Sequence, residues 1–163
     1  MNVVTPLGYS WLPPLEELNN YGGDWKRYEA ALYQFFRDDF VTSTPTFRAR
    51  RVGLKRYPMT DGKEATYWHC ISEGKSEADR TPDLRRCERI RWPRPCIEHE
   101  TELMVWIEDR NGEDRVHLFL EPEGYVIVLA ARNGYFTLWT TFYVEYPHQR
   151  RKFIRRFESA TKS

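Results

Sequence analysis

Cysteine is scarce in this chain: three of 163 residues, and Cys70, Cys87 and Cys96 show no C-x-x-C spacing. Any disulfide scheme leaves one thiol over, so the cysteines read as reduced packing residues of a cytoplasmic protein. Histidine is nearly as scarce, with four in the chain and no His-x-x-x-His pair. No structural zinc, other metal or cofactor is therefore expected. A Walker loop, a Gly-x-Gly-x-x-Gly run and a Gly-x-Ser-x-Gly elbow are all missing, which leaves nucleotide-cofactor and serine-hydrolase chemistry without support. No apolar run approaches the ~20 residues that span a bilayer. Met1 to Pro6 lack the basic start and apolar stretch of a secretory signal. Neither a leader nor a membrane partner is expected. A strong excess of charge is missing too: a net of +1 is low for a dedicated nucleic-acid binder.

Aromatic residues, by contrast, make up 15% of the chain. They bury large areas and favour strands, so the chain reads as an α+β protein with a substantial sheet, folded as one domain over 1–163. Charge is segregated along it. The net is −3 over residues 1–44, +4 over 45–100, −5 over 101–146 and +5 over 147–163. The two basic blocks could form one basic face if the fold joins them; a solvated mixed-sign surface is the plain alternative.

Pro6, Pro13 and Pro14 keep residues 1–14 irregular, and the core is expected over 25–157. Leu15 to Asn20 predicts a single helical turn. Asp24 is a candidate N-cap for a helix with Trp25, Tyr28, Leu32, Phe35 and Phe36 at helical spacing, ended by Arg37 to Asp39. Phe47 to Tyr57 predicts a strand, and Glu64 to Ile71 its hairpin partner across Pro58 to Gly62. Residues 72–81 read as a polar loop. Thr81 as N-cap and Pro82 at the first helical position predict a helix running to Arg91. Strands near 102–109, 115–121, 125–132 and 135–144 predict an antiparallel four-stranded meander, with Asn133-Gly134 signalling a type I′ turn. A helix from about Pro147 to Ser159 would turn Phe153, Ile154 and Phe157 inward and cover the rest with basic residues. Trp11 is expected to pack on the body of the domain, and Trp11 and Trp92 to leave aromatic surface exposed.

The densest chemistry lies in Leu84 to Arg94, where five arginines and no lysine fall within the ten positions 85–94. Arginine offers a planar, permanently charged fork that fits phosphate oxygens. On the expected helix Arg85 and Arg89 share a face, with Arg86 beside them, and such a face could hold a scissile phosphate. A solvated face paired with Asp83 and Glu88 is the plain alternative. His69 lies upstream in Tyr67-Trp68-His69. Cleavage of RNA by its own 2′-hydroxyl needs a base for that proton and an acid for the leaving oxygen, and an imidazole beside arginines suits either role; a structural histidine is the alternative. His117, with Arg115 on the same face, is a second acid/base candidate or a core histidine. In Trp139-Thr140-Thr141-Phe142-Tyr143, alternation puts Thr141 and Tyr143 on one face, where their hydroxyls could orient a phosphate. Thr and Tyr are also ordinary strand residues.

The Trp68-His69 pair, the Arg85 to Trp92 stretch and the final strand Gly134 to Tyr143, in this order, resemble the phage-associated members of the barnase–EndoU–colicin–RelE group of ribonucleases over roughly residues 25–157. The resemblance implies a small α+β fold and metal-independent cleavage of RNA, in a toxin-like or mobile-element setting, with a protein inhibitor or antitoxin as a further partner. It implies His69 as general acid/base, Arg89 or Arg91 as phosphate clamp, and Thr141 and Tyr143 as strand-end contacts, Thr140 competing with Thr141. Arg85, Arg86, Arg115, His117, Arg150 and Arg151 complete the expected RNA-binding face. The rival reading of the same residues is a non-catalytic module that binds nucleic acid or another protein, and a plain scaffold is the third.

Overall fold

In the computed structural model, which describes residues 9–161, the sheet is organised around β7 (Tyr125–Ala131), buried at six of its seven positions. A strand that is apolar on both sides is stable only when both faces of its sheet are covered, and here both are. β7 pairs antiparallel with β6 (Glu113–Leu120) and with β8 (Phe136–Tyr143), and β6 pairs antiparallel with β5 (Met104–Arg110). This is the expected meander. β2 (Arg50–Leu54) adds to β8 in parallel, and β1 (Thr46–Phe47) closes the other edge, giving the order β1-β2-β8-β7-β6-β5.

One face carries a layer of helices: α1 (Trp25–Phe40), α2 (Ala65–Ile71), α3 (Leu84–Glu88) and α4 (Pro93–Glu98). Asp24 caps α1 as expected, its carboxylate accepting from the Lys26 and Arg27 amides at 3.0 and 3.3 Å. Tyr28, Leu32, Phe36 and Phe40 recur every fourth residue and join Val116, Leu118, Ile127, Leu129 and Leu138 of the sheet in the main core. The opposite face is covered by α5 (Pro147–Thr161), whose Phe153, Ile154 and Phe157 pack on Trp106, Phe119, Val126 and Val128. Each such apolar side chain stabilises the docked helix by up to ~2 kcal/mol. The cover is partial. The last five residues of β6 are buried, but Glu113, Asp114 and Arg115 at its start are not. The hairpin end of the α5 face stays open.

Several elements differ from the sequence expectation. Residues 64–71 do not pair with β2; they form α2, because Tyr67, Cys70 and Ile71 bury at helical spacing and the Thr66 hydroxyl binds the Lys55 amide at 2.8 Å, tying the helix start to the end of β2. Tertiary packing thus overrides a strand-favouring composition. The helix expected from Pro82 to Arg91 is confined to α3 and is capped by Asp83, which accepts from the Arg85 and Arg86 amides, rather than by Thr81. Thr81 and Pro82 instead form β4, paired with β3 (Ser72–Glu73) inside the expected polar loop. The turn expected at Leu15 to Asn20 falls at Leu18–Tyr21. Of the hairpin loops, Asn111-Gly112 has positive φ at both residues (55° and 84°), the type I′ pattern, whereas at Asn133-Gly134 only Gly134 does. Trp92 is not a surface residue: it is 1% exposed and donates to the Pro13 carbonyl at 2.9 Å. Trp11 stacks on His99 with ring centroids 4.4 Å apart. The expected irregular arm lies outside the described residues up to position 8, and residues 9–14 carry neither helix nor strand.

Candidate nucleic-acid interface

Strand register decides what the open half of the α5 face displays. Glu108 stands opposite Arg115 and Arg110 opposite Glu113. On the far strands, Arg51 and Gly53 alternate with the core residue Val52, and Tyr135 and Thr137 with Phe136 and Leu138, so all four residues belong to the same open side. The register shift at Val128/Leu129 adds Trp139 to this side along with Thr140. The result is a groove of about 640 Å³ whose walls include Arg110, Arg115, His117, Trp139, Thr140 and Arg156.

Trp139 is ringed by cations. The Arg115 guanidinium lies 4.4 Å from its ring centroid, the Lys55 ammonium 5.7 Å and the Arg132 guanidinium 5.9 Å. Arg51 lies 4.2 Å over the ring of Tyr135. Arg51, Lys55 and Arg110 form no ion pair within 4.0 Å among the described residues. Arg115 and Arg132 share one: Glu113 binds Arg115 at 2.7 Å and Arg132 at 3.0 Å. This half-face therefore combines aromatic planes with a local excess of positive charge, on a chain whose overall charge is nearly balanced.

The border with α5 is a polar lock. Arg156 of α5 donates to both oxygens of Glu108 at 2.7 and 2.8 Å, and Trp106 donates to the same carboxylate at 2.6 Å. The Arg156 contact holds the Glu108 carboxyl well below its ordinary range, down to about 2, against the opposing effect of burial. His117 stacks on Trp106 at 5.0 Å, with its Nε2 3.3 Å from Arg156. An arginine can only donate, so Nε2 accepts and the imidazole is neutral. Burial pushes its pKa down in the same direction. At 4% exposure His117 acts as a wall of the groove.

His69 of α2 lies within electrostatic reach of Lys55. Its Nε2 lies 2.7 Å from Glu77 Oε1, with the imidazole side chain 17% exposed. Burial lowers the His69 pKa, and the charges of Arg80 and Lys55 lower it further against the pull of Glu77. Partial burial would raise Glu77, but the His69 contact and the same two cations outweigh it, so its carboxyl is lowered. An ionised Glu77 only accepts; Nε2 therefore carries the proton and Nδ1 keeps a lone pair, the form of a general base. Thr140 links the two places, lining the groove while its hydroxyl donates to the His69 carbonyl at 3.3 Å.

The arginine-rich segment goes elsewhere. Cys87, Ile90 and Trp92 bury in the main core and carry their neighbours with them. Arg86 donates to the carbonyls of His69 and Ser72 at 3.1 and 2.6 Å. Arg89, 8% exposed, donates to the Arg85 carbonyl and lies between the rings of Tyr143 (4.1 Å) and Trp92 (5.1 Å). Arg85 pairs with Glu88 at 2.7 Å, Arg91 with Glu16 at 2.9 Å, and Arg94 donates to the Asp39 carbonyl at 2.7 Å. The fold thus brings Arg89, Tyr143 and Arg150 together, Arg150 donating to the Tyr143 hydroxyl at 3.3 Å, and brings Arg86 to the backbone of His69. Neither Arg89 nor Arg91 meets the His69 imidazole. Thr141 is fully buried beside Cys70 and Tyr125, and Arg151 is exposed on α5 outside the groove.

No family model, curated protein or solved structure matches this chain. Among the described residues no cluster of His, Cys, Asp or Glu could hold a metal ion, and no helix is long and apolar enough to cross a membrane. The interface residues that the sequence reading passed over are Arg51, Lys55, Arg110, Arg132, Tyr135 and Trp139, together with Glu77 and Arg80 beside His69. Strict alternation groups Trp139 with Thr141 and Tyr143; the bulge parts them, leaving Trp139 and Thr140 on the open side and turning Thr141 into the core. Arg51 and Arg110 lie in β2 and β5, Lys55, Arg132 and Tyr135 lie just beyond strand ends, and no local pattern in the sequence joins them.

Proposed function

We propose that this protein binds single-stranded nucleic acid, RNA foremost, across the open half of the sheet. The observation that carries this reading is Trp139 surrounded by Arg115, Lys55 and Arg132 beside the Arg51–Tyr135 pair. Single-stranded binders combine a cationic path for the backbone with aromatic planes on which unpaired bases stack. Guanidinium planes extend the stack and also contact phosphates. A base-paired helix hides its base faces and gains little from such a surface. The test is anisotropy with a labelled decauridylate and with a duplex of the same length. Trp139→Ala is expected to weaken single-strand binding by roughly 10- to 100-fold. If four of the cations contact phosphate, log K falls with log[salt] at a slope of about −3. Equal affinity for the duplex, or no effect of Trp139→Ala, refutes the proposal.

A second reading, cleavage of the bound RNA, is favoured by the His69–Glu77 pair within electrostatic reach of Lys55. Nδ1 of His69 takes the 2′-hydroxyl proton, the 2′ oxygen attacks phosphorus, and the bond to the 5′ oxygen breaks. A 2′,3′-cyclic phosphate and a 5′-hydroxyl result, the leaving oxygen taking its proton from the Lys55 ammonium or from water. The His69 role expected from the sequence is kept here, with Lys55 and Arg80 in place of Arg89 and Arg91. RNA cleavage in EDTA that His69→Ala abolishes supports it; cleavage untouched by His69→Ala, or none at all, leaves binding as the function.

A further inference from the structure

We infer that Arg115 and Arg132 form a seat for one phosphodiester phosphate, and that the carboxylate of Glu113 fills that seat in the free protein. The inference rests on the binding proposal above and specifies one subsite within it. Glu113 spans the two guanidiniums with one oxygen on each, at 2.7 and 3.0 Å. A phosphate's two non-bridging oxygens present the same pair of acceptors to the same pair of donors. Both arginines also touch the ring of Trp139, so a phosphate held there would set a neighbouring base against the indole.

Glu113 is suited to leave. Its side chain is 48% exposed and stands at the first position of β6, directly after the Asn111-Gly112 turn. It has no other hydrogen-bond partner among the described residues, so its release breaks only these two pairs. Arg115 is held by more: it is only 11% exposed and stacked on Trp139, so it stays in position when the carboxylate swings out, while Arg132 keeps its place beside the same ring. The groove therefore holds its own competitor: a tethered carboxylate that a nucleic-acid strand must displace. This lowers affinity for anions that reach only one arginine and favours a polymer whose other phosphates bind Arg51, Lys55 and Arg110 at the same time.

The experiment titrates labelled decauridylate against wild type, Glu113→Gln, Glu113→Asp and Asp114→Asn at several salt concentrations. Asp114 is the matched control: it is exposed and adjacent, but alternation puts it on the other side of the sheet. Glu113→Gln is expected to bind roughly fivefold tighter, by the loss of two competing ion pairs, with Glu113→Asp between it and wild type and Asp114→Asn near wild type. The same gain in Asp114→Asn would reduce the effect to bulk charge and overturn the inference. So would unchanged affinity in Glu113→Gln while Trp139→Ala still weakens binding; that result leaves the binding proposal intact. Absence of salt-dependent binding in wild type and Glu113→Gln alike would sink both, whereas binding that appears only in Glu113→Gln supports both.

Discussion

Replacing Glu108 by Gln should weaken the docking of α5, and the loss should depend on pH in one direction. Glu108 is gripped by Arg156 of α5 at 2.7 and 2.8 Å and by Trp106 at 2.6 Å, and its pKa falls from 4.5 to about 2. At 1.36 kcal/mol per pKa unit that fall corresponds to about 3 kcal/mol. Arg156 is 36% exposed, and solvent screening brings the expected contribution to about 1–2 kcal/mol. In a domain of this size that is about 3–6 °C in Tm. A carboxyl whose folded pKa is depressed stabilises fully above its unfolded pKa. The contribution fades as pH falls from 4.5 towards 2. Urea denaturation of wild type and Glu108→Gln should therefore show a gap of about 1–2 kcal/mol at pH 7 that shrinks to roughly half or less by pH 3. Arg156→Gln should be non-additive with it, since the two groups touch. An equal gap at pH 7 and pH 3 would refute the idea that the charge on Glu108 holds the helix.

Other outcomes follow from single residues. Arg48 and Ala49 form the two-residue loop between β1 and β2 with φ of 50° and 67°, a left-handed conformation that costs L-residues about 1–2 kcal/mol each. Ala49→Gly should raise stability by about 0.5–1 kcal/mol once the greater freedom of glycine in the unfolded chain is deducted; a lower urea midpoint would contradict this. Thr141 is fully buried, its hydroxyl turned toward Cys70 and Tyr125 in the core. Thr141→Val should keep RNA affinity within about twofold of wild type while costing about 1 kcal/mol of stability, and a large loss of affinity would restore Thr141 as a phosphate contact. If His69 is the base, cleavage should rise with pH through a midpoint below 6.5, where burial puts its pKa, and level off towards neutrality. A midpoint above 6.5 would assign the base to another group.

The elements legible in the sequence are those whose signal is local. The Asp24 cap and the four-residue spacing of Tyr28, Leu32, Phe36 and Phe40 define α1 without outside help. The run Tyr125 to Ala131 announces a strand covered on both sides. α2 was hidden because Thr66 to Ile71 has strand-favouring residues and its helical form depends on contacts with Lys55 and the core. α4 was hidden because Pro93 and Pro95 look like breakers, although both stand in its first turn, where a missing amide costs no intrahelical bond. The candidate site was the least legible part. Its residues come from β2, β5, β6 and β8 and share a side only through register and one bulge.

The two arginine populations explain why the densest motif is not the open surface. Within 84–94 the apolar residues Cys87, Ile90 and Trp92 are close enough together to pull the whole segment inward. A buried guanidinium must find acceptors. Those of Arg86, Arg89 and Arg94 find backbone carbonyls, while Arg85 and Arg91 find glutamates. Four of the five arginines thus become buried or half-buried braces, only Arg85 staying exposed on its pair with Glu88, and Arg86 helps to fix the backbone that carries His69. On the open face the reverse holds. The cations there come from separate parts of the chain; Arg51 is anchored over Tyr135, and Arg115, Lys55 and Arg132 lie around Trp139, with Arg115 and Arg132 held by the displaceable Glu113. Cation density along the chain therefore does not by itself mark the open surface; cations gathered by strand register around an aromatic ring mark where arginine can meet a phosphate. On that ground Arg115→Gln should weaken RNA binding more than Arg85→Gln, although Arg85 belongs to the richer motif; the opposite order in the same anisotropy titration would return the binding surface to α3.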